Sequence, residues 1–96
     1  MSRRSPRSFA LALDGLTRAI APSTPLARVQ EVWGTAAGEA IAREARPTAE
    51  HGGVLTVTCA AAVWAQELTL MADGLIERVN AALGEGLVRE LRCRTG

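Results

Sequence analysis

The chain has 96 residues, one domain's worth, with 48% apolar residues and a mean hydropathy of +0.10. That composition excludes a disordered chain, and no apolar run approaches the roughly 20 residues needed to span a bilayer. With no signal-peptide core behind the leading arginines either, the sequence reads as a soluble cytoplasmic protein.

The net charge of +1 conceals an uneven distribution. Residues 1–8 carry Arg3, Arg4 and Arg7 with no acid, and residues 87–96 carry Arg89, Arg92 and Arg94 against Glu90 alone. Residues 9–86 hold five arginines and nine acids, a net of −4. An acidic body with two basic ends favours local contacts to phosphate over a uniformly basic binding face. Every basic side chain is Arg. Arg suits bidentate phosphate contacts, although the complete absence of Lys points first to a GC-rich genome.

In chain order, residues 1–8 read as a flexible basic arm. Ser8 can cap a helix over 9–21, where Phe9, Leu13, Leu16 and Ile20 form a single apolar stripe. Pro22 ends it. Thr24 and Pro25 then supply an N-cap and a first helical residue, predicting a second helix to about Arg43 with Leu26, Val29, Trp33, Ala37, Ala40 and Ile41 on one side. Gly34 and Gly38 interrupt it. Residues 45–50 contain Pro47 and are expected as an irregular or edge strand, and His51-Gly52-Gly53 is a turn.

Residues 54–59 alternate, with Leu55, Val57 and Cys59 on one face and Thr56 and Thr58 on the other, as a half-buried strand does. From about Ala61 a helical stripe runs through Trp64, Leu68, Met71, Leu75, Val79 and Ala82, with Gly74 placed to kink or split it. Gly84-Glu85-Gly86 stops this helix. Residues 87–94 read as a last strand, with Leu91 and Cys93 inward and Glu90, Arg92 and Arg94 outward. The order ααββαβ predicts a two-layer α+β domain over 9–95, whose three-stranded sheet has helices on one face.

Chemistry-bearing constellations are sparse. His51 is the only histidine and sits in a turn, where solvation is the ordinary fate. No Ser or Cys has a triad-like partner, and Gly84-Glu85-Gly86 lacks both the GxGxxG spacing and a Walker lysine. Asp73 and Glu77 share a helix face, more simply as a solvated surface than as an acid–base pair. Cys59 and Cys93 read first as small reduced core residues, with a bridge between neighbouring strands still open. A metal site would need His51 and a fourth ligand, with no CxxC spacing anywhere. These patterns assign no catalytic residue, no metal and no cofactor.

Three aromatics, Phe9, Trp33 and Trp64, are too few for a base-stacking platform, and the strands hold none. Trp33 falls mid-stripe and reads as core. Trp64, in the first turn of its helix, is either half-buried packing or an exposed partner anchor of the kind enriched at hot spots.

An ordered set of motifs carries a family resemblance. It comprises Val32-Trp33-Gly34, Arg46-Pro47, Gly53-Val54-Leu55-Thr56-Val57, the run Ala62 to Leu68 with Trp64, Gln66 and Glu67, then Leu75-Ile76, Val79-Asn80 and Gly86-Leu87-Val88. Over about residues 9–94 the chain resembles the DciA family of bacterial proteins associated with the replicative helicase. The resemblance implies a KH-like domain. It also implies a non-enzymatic adaptor that binds a DnaB-type hexameric helicase and assists its loading or operation on DNA. Partner contacts then fall on Trp64, Gln66 and Glu67. Weak, non-specific DNA contact falls on Arg3, Arg4, Arg7, Arg89, Arg92 and Arg94. The other reading is a small KH-like module for RNA or single-stranded DNA, without a helicase; the acidic body weighs against it, and there is no GxxG loop to clamp a nucleic-acid backbone.

Overall fold

The computed structural model describes residues 24–96. The expected helix over 9–21 and the basic arm, including Arg3, Arg4 and Arg7, lie outside the described residues. Thr24 opens the first helix, α1 (Pro25–Ala37), as an N-cap: its hydroxyl accepts from the Ala27 amide at 3.0 Å, and Pro25 sits where no N–H is needed. The buried stripe of α1 is Val29, Trp33, Ala36 and Ala37. The indole Nε1–H of Trp33 donates to the Ala45 carbonyl at 2.9 Å, so this ring both fills the core and satisfies a buried backbone acceptor.

The expected helix to Arg43 is two helices. Gly38 turns the chain at φ +95°, a conformation open to glycine, and α2 (Glu39–Glu44) continues in a new direction. Ala40, expected on the buried stripe, is therefore exposed. From Ala45 the chain forms β1 (Ala45–His51), then turns back through Gly52-Gly53 into β2 (Val54–Cys59). Gly53 is at φ +89°, and a Cβ there would lie 2.8 Å from Arg89 Nε and 3.3 Å from the Leu87 carbonyl. Only glycine fits without rearrangement.

Two helices cross over to the last strand: α3 (Ala62–Leu70) and α4 (Ala72–Leu83), followed by β3 (Glu90–Thr95). The break falls at Met71, three residues before the glycine the sequence pointed to. Ala82 is exposed and Leu83 is half-buried in its place. The sheet order is β1-β2-β3, with β1 antiparallel and β3 parallel to the central β2. Pro47 lies on an edge strand, as a residue lacking an N–H must, and the register shifts between Pro47 and Ala49.

The fold is α+β in two layers. Leu55, Val57 and Cys59 are fully buried and meet Trp33, Val29, Leu68, Leu75 and Val79 from the helices. Leu91 and Cys93 flank them on β3, half-buried. The last strand begins at Glu90, not Leu87, because the Asn80 side chain takes up the backbone of Val88: its amide donates to the Val88 carbonyl at 2.8 Å and its oxygen accepts from the Val88 N–H at 2.9 Å.

Candidate functional site

Two surfaces carry the residues that the sequence singles out, and the sheet separates them. The first is α3. Its sequence, AVWAQELTL, is apolar on nearly every side, a pattern that normally belongs to a helix buried all round. Here only one side is covered. Leu68 is fully buried, while Trp64 and Ala65 are half-buried against the core. The outer side carries Gln66 and Glu67, both exposed, together with Val63 and Leu70 at 59% and 83% exposure. These are the exposed large hydrophobic side chains among the described residues. Ala65, Gln66, Thr69 and Leu70 line a shallow open depression of about 420 Å³ beside this ridge.

Trp64 is thus neither a sealed core plug like Trp33 nor a free surface anchor. Its ring packs inward at the edge of the core, and the outward apolar contacts on offer come from Val63 and Leu70. Sequence reasoning passed over both. The available signal was the lack of a polar side in α3 outside Gln66, Glu67 and Thr69.

The second surface is the face of the sheet turned away from the helices. Register places Arg46 opposite Thr58 on β1, and Thr58 beside Arg94 on β3, so the three form one row across the sheet. The next row is Ala49, Thr56 and Arg92, and the last is His51, Val54 and Glu90. Arg46, Arg92 and Arg94 are all exposed. The hydroxyls of Thr48 and Thr58 pair at 2.8 Å between them. Arg46 thereby joins two of the arginines singled out near the C-terminus, although it lies 46 residues before Arg92 in the sequence. Arg89 stands apart: its guanidinium donates to the Gly52 carbonyl, and its own N–H donates to Gly53 at 2.8 Å. It holds the turn between β1 and β2 while remaining solvent-exposed.

The cysteines lie between these surfaces, on the covered face of the sheet. Both are free thiols, with Cys59 buried and Cys93 half-buried. Burial pushes both above the ordinary thiol range; the neighbouring Cys93 adds to the effect at Cys59, and a hydrogen bond with Thr69 partly offsets it at Cys93.

The model of the family described as "Dna[CI] antecedent, DciA" matches residues 9–93. The chain belongs to the DciA family. Among curated relatives, a UPF0232 protein of Rhodococcus jostii (strain RHA1) is 34% identical over 95 residues, covering 93% of this chain and 48% of the relative. A UPF0232 protein of Mycobacterium bovis (strain BCG / Tokyo 172) is 40% identical over 60 residues, 62% of this chain and 32% of the relative. One of Mycolicibacterium smegmatis is 38% identical over 60 residues, 62% of this chain and 31% of that protein. This DciA chain therefore spans about half the length of the Rhodococcus relative and about a third of the mycobacterial ones. No helix among the described residues is long and apolar enough to cross a membrane.

Proposed function

We propose that this chain is the folded domain, over residues 9–95, of a cytoplasmic, non-enzymatic adaptor. It binds a DnaB-type replicative helicase and assists its loading or operation on DNA. The observation that carries this reading is the outer side of α3: an apolar ridge of Val63 and Leu70, interrupted by Gln66 and Glu67, on the helix that contains the most specific part of the family pattern. Exposed apolar side chains that group on one surface mark candidate interaction sites, and Val63 at 59% and Leu70 at 83% exposure lie two turns apart on one side of α3. Trp64 supports the ridge from beneath, and Gln66 and Glu67 supply polar contacts at its centre.

DNA contact is weak and independent of sequence. Arg46, Arg92 and Arg94 on the open sheet face supply it, with Arg89 at the rim and Arg3, Arg4 and Arg7 adding charge from the N-terminal arm. The absence of aromatic side chains on that face favours backbone contact over base stacking.

Pull-down of the organism's own DnaB-type helicase by the full chain tests the reading. Gln66→Ala/Glu67→Ala and Leu70→Asp alter exposed positions, so binding should fall with the melting temperature unchanged. Trp33→Ala should cost about 3–5 kcal/mol, as expected for a buried Trp, and Trp64→Ala clearly less. If wild type retains no helicase while DNA binding persists, the second reading replaces the first: a small nucleic-acid-binding module, which the arginine-bearing sheet face favours.

A further inference from the structure

The two edges of the sheet are finished differently. On β1, the bond from the Ala60 N–H to the Glu44 carbonyl at 2.7 Å fixes the alternation. Glu44 and Arg46 therefore turn their backbone groups towards β2, while Ala45 and Pro47 turn theirs outward. Those outward groups are all taken. The Ala45 N–H donates to the Ile41 carbonyl, and its own carbonyl accepts from the Trp33 indole at 2.9 Å. Pro47 has no N–H, and its carbonyl accepts from the Gln30 amide at 3.1 Å.

β3 has no such cover. Its register with β2 runs unbroken, between a bond from the Glu90 N–H to the Gly53 carbonyl at 3.2 Å and one from the Gly96 N–H to the Cys59 carbonyl at 3.3 Å. The even-numbered residues thus face β2, and Leu91, Cys93 and Thr95 each direct an N–H and a carbonyl to the open side. Among the described residues, no hydrogen bond reaches these groups. An edge without proline or bulge is a template for another strand, and its charges decide which strand it admits.

Those charges are Glu90, Arg92 and Arg94, all exposed on the open face and none in an ion pair among the described residues. Their order is self-complementary in one register. A second β3 running antiparallel about a two-fold axis at Arg92 sets Glu90 opposite Arg94 of the second copy, twice. On the covered face it sets Leu91 opposite Cys93 of the second copy, also twice, and each of these pairs exchanges two hydrogen bonds. One like-charge pair remains, Arg92 against Arg92 on the axis. An axis at Cys93 would instead oppose Arg92 and Arg94 twice. An axis at Leu91 would leave only the Leu91 pair to bond, because the Arg89 N–H is already held by Gly53.

The helix layer permits the approach. α3 lies over β2 and β3. Centred over that pair, the two α3 helices of a joined sheet run about 9.6 Å apart, two strand spacings, within the 8–10 Å of packed helices. The flank of α3 from which Thr69 reaches Cys93 faces the free edge. It holds Ala62, Ala65, Gln66 and Thr69, with no charge and no aromatic ring. The depression beside Leu70 opens on this flank, so an exposed leucine of each copy gains apolar cover.

We propose that this chain self-associates through β3, two copies forming one continuous six-stranded sheet with Glu90 paired to Arg94 across a two-fold axis at Arg92. The inference rests on neither the helicase nor the DNA reading, and its test uses the chain alone.

Sedimentation velocity of the full chain from about 5 to about 500 μM covers the range in which an interface this small shows itself. The weight-average mass should rise from that of one chain towards that of two. Glu90→Arg and Arg94→Glu each turn both ion pairs into like-charge pairs and should weaken association about tenfold. Glu90→Arg/Arg94→Glu restores the pairs with their signs exchanged and should recover it. Arg92→Thr removes the repulsion on the axis and should strengthen association about threefold. All these positions are exposed, so melting temperatures of dilute samples should match wild type. A single-chain mass throughout the range overturns the proposal. So does a dimer that neither single variant weakens, or that the double variant fails to restore, because another surface then joins the copies.

Discussion

Removing Arg46 tests whether the open sheet face, and not the basic C-terminal run as such, meets DNA. The register gives the geometry: Arg46 and Arg94 flank Thr58 in one row, two inter-strand spacings or about 10 Å apart, and Arg92 lies about 6.6 Å from Arg94 along β3. Three phosphate contacts to a single strand contribute about −2 to the log–log salt slope, at about −0.7 per contact, so their share of the affinity should fall about 20-fold between 50 and 200 mM salt. Arg46→Ala should make the slope shallower by about 0.7, as should Arg94→Ala, and the triple alanine variant by about 2, leaving the share of Arg89 and the N-terminal arginines. Fluorescence anisotropy with a labelled oligothymidylate across that salt range reads the slope directly. Arg89→Ala is the comparison: at the rim, with its guanidinium engaged by the Gly52 carbonyl, it should change the slope less than Arg46→Ala does. A slope unchanged in Arg46→Ala but flattened in Arg89→Ala would refute the register argument and return the contact to the loop before β3.

The Asn80 clamp and the thiols give two further expectations. Asn80→Ala strands the N–H and carbonyl of buried Val88 and should cost about 2–3 kcal/mol in urea unfolding; a cost below about 0.5 kcal/mol would mean that water replaces the amide fully. The folded state holds the Cys59 and Cys93 protons more tightly than the unfolded chain does, so the unfolded state ionises first as pH rises. Their contribution is intact below the ordinary thiol pKa and is lost above it. The melting temperature should therefore drop between pH 8 and pH 10, with pH dependence as the general expectation for buried titrating groups, and the drop should shrink in Cys59→Ala/Cys93→Ala.

The sequence disclosed those parts of the fold where one local rule acts alone. Thr24-Pro25 marks the start of α1 because capping is a contact between adjacent residues, and β2 is visible because its alternation is strict. The strand start at Glu90 was not legible: Leu87 and Val88 have strand composition, but a side chain eight residues earlier binds the backbone of Val88. The break at Met71 was hidden for a related reason. The apolar stepping by three and four runs through it without interruption, and only packing shows that α3 lies over β2 and β3 while α4 lies against α1. At the candidate site, the outward direction of Arg92 and Arg94 followed from alternation. The place of Arg46 beside them depends on strand register across β1 and β2, which no local pattern encodes.

The placement of the cysteines explains why the two surfaces can be read independently. Cys93 faces the helices from the same strand that sends Arg92 and Arg94 to the other side, so β3 contributes to both layers with alternate residues. The helix layer above it exposes an apolar ridge broken by Glu67; the sheet face below exposes Arg46, Arg92 and Arg94 among threonines, with Glu90 in its last row. A polyanion is attracted to the lower face and repelled by the upper, and a partner with an apolar, basic surface has the opposite preference. Opposed faces allow both to bind one small domain without overlap, which a uniformly basic surface of this size would not.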